Sequence, residues 1–99
     1  MRALILAATL AAGPALAALV MKAPGAEMRL YDSPCVHAGV LGAIKPEHRK
    51  NFKKAGGFVR SGEKFYACWI EHEGHAVVVF EDGDQGAWPL ARFRDEPGI

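Results

Sequence analysis

The chain has 99 residues, 51% hydrophobic and 23% charged, with twelve Lys and Arg against eleven Asp and Glu. That length leaves room for one domain. A formal net charge of +1 gives no basis for a nucleic-acid partner, whose recognition calls for a basic surface.

In chain order, the first element reads as a leader. Arg2 supplies a positive start, Ala3 to Ala12 is apolar except for Thr9, and Gly13-Pro14 interrupts the helical pattern. Ala15-Leu16-Ala17 then offers the small-x-small site that signal peptidase accepts. Cleavage after Ala17 or Ala18 divides the chain into a signal peptide, residues 1–18, and one small globular domain, residues 19–99, with its core over about 27–93. The competing reading is an uncleaved anchor, since Ala3 to Met21 is long enough to cross a bilayer. Membrane contact is expected only in that case. Removing the leader takes away Arg2 alone among the charges, so the remainder is formally neutral. Seven basic residues fall between Lys45 and Lys64, and five acidic ones between Glu71 and Asp84, which predicts a bipolar surface.

Lys22 to Ala26, with Pro24-Gly25, reads as a flexible lead-in, and Glu27 to Tyr31 as a short strand with Met28 and Leu30 on one face. Asp32-Ser33-Pro34 signals a turn or a helix start, with Ser33 as N-cap and Pro34 at the first helical position. Val36, Val40, Leu41 and Ile44 recur at helical spacing and predict a short helix over Cys35 to Ile44, weakened by Gly39 and Gly42. Pro46 opens a second helix through about Ala55, pinned by Phe52 and ended by Gly56-Gly57.

The second half reads as β. Phe58 to Arg60 is a short strand and Ser61-Gly62-Glu63 a turn. Lys64 to Glu71 is the strongest strand, with Phe65, Ala67 and Trp69 on one face and Tyr66, Cys68 and Ile70 on the other. A strand apolar on both faces is usually central and covered on both sides. His72-Glu73-Gly74 makes a hairpin turn into a valine-rich strand, His75 to Glu81. After a polar loop, Ala87 to Phe93 adds a last short strand that Pro89 confines to an edge or a bulge, and Arg94 to Ile99 is a frayed tail. The expected fold class is therefore α+β: a small antiparallel β-sheet with one or two short helices against one face. Cys35 and Cys68 are the only cysteines, so one connectivity is possible. An oxidising compartment favours that disulfide, and a small domain gains much from it.

Catalytic and metal signatures fail on spacing. His72 and His75 stand three apart across a turn, whereas a zincin needs two histidines four apart on a helix. Glu81-Asp82-Gly83-Asp84 lacks the twelve-residue calcium pattern and its terminal glutamate. Gly-x-Ser-x-Gly, P-loop and dinucleotide fingerprints are missing. The reading is non-enzymatic, with no metal site and no cofactor; a small metal-binding protein is the remaining chemical alternative. Trp69 alternates with Phe65 and reads as core, which leaves Trp88, beside Pro89, as the better exposed contact residue. Arg49, Lys50, Lys53 and Lys54 on the second helix form a basic face suited to anionic headgroups or an acidic protein.

From Leu30 to Phe93 the chain resembles a group of small exported proteins of bacterial genomes and prophage regions whose function is uncharacterised. The resemblance rests on Asp32-Ser33-Pro34-Cys35, Val40-Leu41 with Ile44, Gly62-Glu63-Lys64, Ala67-Cys68-Trp69, Glu81-Asp82-Gly83-Asp84 and Pro89-Leu90 with Phe93. It implies export and brings no active site. Tyr66-Ala67-Cys68 and Ser61-Gly62-Glu63-Lys64-Phe65 also resemble the Tyr-x-Cys motif and the Ser-Gly-x-x-Tyr cleft loop of periplasmic inhibitors of C-type lysozyme. Here Phe65 stands where the tyrosine belongs, and the two motifs come in the reverse order. The resulting expectation is a periplasmic or secreted interaction protein with an unknown envelope partner. Ser61, Gly62, Lys64, Trp88, Arg49, Lys50, Lys53 and Lys54 are its candidate contacts. The alternative is an inhibitor of a lysozyme-type cell-wall hydrolase, inserting Ser61 to Lys64 into the enzyme.

Overall fold

Alternating apolar and polar residues carry most of the chain into strands. In the computed structural model, which describes residues 17–97, the strands are β1 (Ala17–Ala23), β2 (Ala26–Pro34), β3 (Lys53–Phe58), β4 (Lys64–His72), β5 (His75–Phe80), β6 (Gln85–Pro89) and β7 (Arg94–Pro97). A one-turn helix, α1 (Ala38–Leu41), and a 3-10 helix, Pro46–Asn51, lie between β2 and β3; a second 3-10 turn, Leu90–Arg92, lies between β6 and β7.

The seven strands form one sheet in the order β6-β5-β4-β3-β2-β1-β7, antiparallel throughout. Its two edges, β6 and β7, are joined by Leu90 to Phe93 alone. Laid flat, strands about 4.8 Å apart would put those edges about 29 Å from each other. The link from Pro89 to Arg94 spans at most about 18 Å. The sheet therefore curls strongly on itself.

The concave side holds the larger core. Leu19 faces Leu30, Met21 faces Met28, Ala55 faces Ala67 and Trp69 faces Val78 across neighbouring strands. Leu30, Ala55, Ala67, Ala76 and Val78 are buried there with Trp69 and Phe93. Small residues at Ala55, Ala67 and Ala76 leave room for the indole of Trp69, and the curl needs that alternation of sizes. Between Leu30 and Pro34 the register of β2 against β3 shifts, and the Trp69 indole N–H donates to the Tyr31 carbonyl at 2.9 Å within that irregular stretch. At Gly57, opposite Met28, a side chain would collide with the Glu27 carbonyl oxygen. Only glycine lets β2 and β3 approach so closely there.

A smaller core lies on the outer face. Cys35, Val40 and Ile44 pack on Cys68 and Val79, with Leu41 and Phe52 at the margin. The Cys35 N–H donates to the Phe52 carbonyl at 3.1 Å and closes the base of this excursion. The Cys35–Cys68 disulfide, with Cα atoms 5.6 Å apart, fastens it to the sheet. β4 is covered on both sides, with Ala67 and Trp69 inward and Cys68 outward. The hairpin at Glu73-Gly74 has φ of 51° and 77°, the paired positive values of a type I′ turn.

Several expectations give way. The antiparallel sheet with two short helical pieces on one face and the Cys35–Cys68 disulfide is present, but the sheet dominates and is strongly curled, so the fold is not a strict small α+β domain. Lys22 to Ala26 is no loose lead-in: it spans the end of β1, the Pro24-Gly25 turn and the start of β2. β1 lies inside the sheet between β2 and β7, and Ala18 and Val20 are only 4% and 2% exposed. Ser33 and Pro34 end β2, and the cap of the first helix is His37, whose Nδ1 accepts from the Val40 N–H at 3.3 Å. With glycine at positions 39 and 42, one α-turn is all that forms. The second helix shrinks to a 3-10 segment ending at Asn51, because Lys53 to Phe58 pairs with β2 on one side and β4 on the other. Ladder pairing outweighs a helical pattern whose apolar content is only Phe52 and Ala55. Phe58 to Arg60 becomes the end of β3 and a turn. Of the expected last strand, Ala87 to Pro89 belongs to β6 and Leu90 to Arg92 is a 3-10 turn, while the expected frayed tail holds β7, an edge strand on β1. Pro89 ends the other edge strand. The expected leader, apart from Ala17 and Ala18, lies outside the described residues.

Candidate functional site

A meander sends successive turns to alternate ends of its sheet. The turns at Pro24-Gly25, Val59 to Glu63 and Glu81 to Asp84 therefore share one end, whereas the Cys35–Phe52 excursion and the Glu73-Gly74 hairpin share the other. The first two turns touch, with the Arg60 side chain lying over Gly25. The second is held by Val59 N–H to the Glu63 carbonyl (2.9 Å) and Gly62 N–H to the Val59 carbonyl (2.8 Å). In the third, Phe80 N–H bonds the Asp84 carbonyl (2.8 Å), Gly83 N–H the Phe80 carbonyl (3.0 Å), and Asp84 N–H the Asp82 carboxylate (2.9 Å).

Between the turns lies an apolar groove of about 570 Å³. Met21, Met28, Phe65 and Phe80 form its inner part, at the ends of strands whose deeper inward positions make the core. Phe65 and Phe80 meet edge to face with centroids 5.5 Å apart. Phe58 and Val59 line the wall and remain 38% and 43% exposed. Inward alternation continues to the strand ends, but nothing among the described residues covers the last layer.

Four acidic side chains and two basic ones edge the groove. Glu27 is hydrogen-bonded to Arg29, which holds that guanidinium pKa above its ordinary value. Lys22 is paired with Glu96 at 2.9 Å. Glu81 lies 3.7 Å from His37 Nε2, and the remaining charges are Asp82 and Asp84 against Arg92. Glu81 also accepts from the Tyr66 N–H at 3.1 Å, one step beyond the start of the β4–β5 ladder at Ala67 and Phe80.

Ser61 and Gly62 form the exposed tip of the β3–β4 turn and Lys64 starts β4, so these three candidates stand at the groove end. Trp88 does not join them. Its ring lies over Gly86, meets Phe80 edge to face at 6.2 Å and packs on the inner core. The four basic candidates are dispersed as well. The Arg49 Nε–H donates to the Ile44 carbonyl, Lys53 is 2.6 Å from the Asp32 carboxylate, and Lys54 lies 5.2 Å above the Tyr31 ring. Lys50 is exposed on the 3-10 helix. His72 and His75 face each other across the type I′ turn, both exposed. Among the described residues, no three His, Cys, Asp or Glu side chains converge as metal ligands would.

Phe58, Val59, Met21 and Phe80 were not legible as a surface, because five separate strands bring the groove together. The local signal was an apolar pair, Phe58-Val59, separated from a Ser-Gly turn by Arg60 alone. Comparison of the chain with protein-family models, curated proteins and solved structures finds no match.

Proposed function

We propose that the chain is an exported binding domain without catalytic activity, acting in the cell envelope through the groove and the three turns around it. One observation carries this reading: an apolar groove with exposed Phe58 and Val59, held open between hydrogen-bonded hairpins. Contiguous exposed apolar surface with a polar rim marks interaction sites, and the groove's volume suits side chains of a partner. The buried disulfide is consistent with an oxidising, exported location, as the N-terminal pattern suggests. The prophage setting rests on the resemblance of Leu30 to Phe93.

The test is binding by wild type and Phe58→Ala, both first confirmed folded by thermal melting. Each is immobilised and exposed to envelope extract; a retained protein is identified, purified and titrated against both. An aromatic anchor in a binding centre predicts at least a tenfold loss of affinity in the variant. Retention of nothing by the wild type at several salt concentrations would sink the reading.

A second reading is inhibition of a lysozyme-type cell-wall hydrolase. It is favoured by the Ser61-Gly62-Glu63 tip, which is exposed beside the groove on a short, hydrogen-bonded hairpin that can enter a cleft without large rearrangement. Slowed hydrolysis at micromolar protein, abolished by the bulky Ser61→Arg, is the expected outcome. No slowing of any lysozyme or lytic transglycosylase removes this reading.

A further inference from the structure

We infer that the occupant of the groove is a polypeptide segment in which apolar side chains are flanked by lysine or arginine, an inference that rests on the groove being the binding surface. Its interior demands the apolar part. Met21, Met28, Phe65 and Phe80 offer no charged group, and Phe58 and Val59 add exposed apolar wall. A ligand without apolar side chains would leave that surface wet.

The flanking charge follows from which rim groups already have partners. Glu27 is taken up by Arg29, and Lys22 by Glu96. Glu81 is also engaged, with one carboxylate oxygen accepting from the Tyr66 N–H and the other 3.7 Å from His37 Nε2, which leaves Asp82 and Asp84 against Arg92 among the groove-lining charges. Both aspartates sit on one tight, hydrogen-bonded turn, and the Asp84 N–H holds the Asp82 carboxylate in place before any ligand arrives. Exposed carboxylates of this kind attract basic flanks and repel anionic lipid headgroups, which disfavours a membrane surface as the occupant.

Two labelled hexapeptides test this on the full chain by fluorescence anisotropy. One has two leucines between paired lysines, the other two leucines between paired glutamates. The lysine peptide is expected to bind at least tenfold more tightly, with an advantage that shrinks as salt shortens the screening length. Asp82→Asn with Asp84→Asn is expected to remove most of that advantage, whereas Phe58→Ala weakens both peptides. Equal binding of the two peptides, or tighter binding of the glutamate peptide, overturns the inference. So does a dimer in sedimentation that Phe58→Ala dissolves, since the occupant is then a second copy of the chain. An envelope partner lost with Phe58→Ala but untouched by the aspartate changes leaves the binding-domain reading standing without this inference. Binding that ignores Phe58→Ala overturns both.

Discussion

The two sides of β4 face interiors of different kinds. Inward, Ala67 and Trp69 join a core contributed by most of the strands, where each residue is held by neighbours on both sides. Outward, Cys68 meets a short excursion with one helical turn, one 3-10 turn and a few apolar side chains. The inner core can rely on buried area. The outer one is too small for that, and a covalent bond does the work that packing does elsewhere. The same strand thus joins a region stable through contacts to one stable through constraint of the unfolded chain.

Three changes would break or sharpen this contrast. Trp69→Ala is expected to cost about 3–5 kcal/mol, the range for removing a buried aromatic, because it opens a cavity and leaves the Tyr31 carbonyl without its indole donor. Urea unfolding followed by circular dichroism reads this; a loss below about 1 kcal/mol would place Trp69 outside the core. Cys35→Ala with Cys68→Ala is expected to cost about 3–4 kcal/mol through loop entropy, and its effect is regional. Hydrogen exchange should accelerate most over residues 35–52, which can then open apart from the sheet, and less in β5. Uniform acceleration would mean that the two cores unfold as one. His37→Ala is the mildest, about 0.5–1 kcal/mol for a lost helix cap, with the change confined to α1. A larger effect would show that stacking of His37 on Tyr66, 5.2 Å apart, couples the helix to the sheet.

Much of the inner region was legible because period-two alternation survives in β4 and β5. Phe65, Ala67 and Trp69 share a face in the sequence and in the fold, and Glu73-Gly74 declares its turn. The cysteine pair could be read from number alone. Legibility failed where pairing overrode local pattern. Lys53 to Phe58 contains two adjacent glycines and two lysines, a poor strand by propensity, and becomes one because β2 and β4 flank it. The tail at Arg94 looks polar and loose, yet β1 offers it an edge. At the groove, the turn residues Ser61 and Gly62 were visible, whereas its apolar wall depends on turns from distant sequence meeting at one end. Trp88 is half-buried, and nothing local announces that Gly86 makes space for its ring.

The pairing of β1 with β7 has a further consequence. Ala17 stands opposite Pro97 in that ladder, so the first and last described residues lie about 5 Å apart, the ordinary spacing of antiparallel partners. A short linker could join them and turn the described chain into a ring. Opening that ring at the Glu73-Gly74 hairpin would give a permuted chain with the same order of strands in the sheet. The groove turns and the disulfide would remain intact, while the two interior strands on either side of the cut would become the first and last of the new sequence.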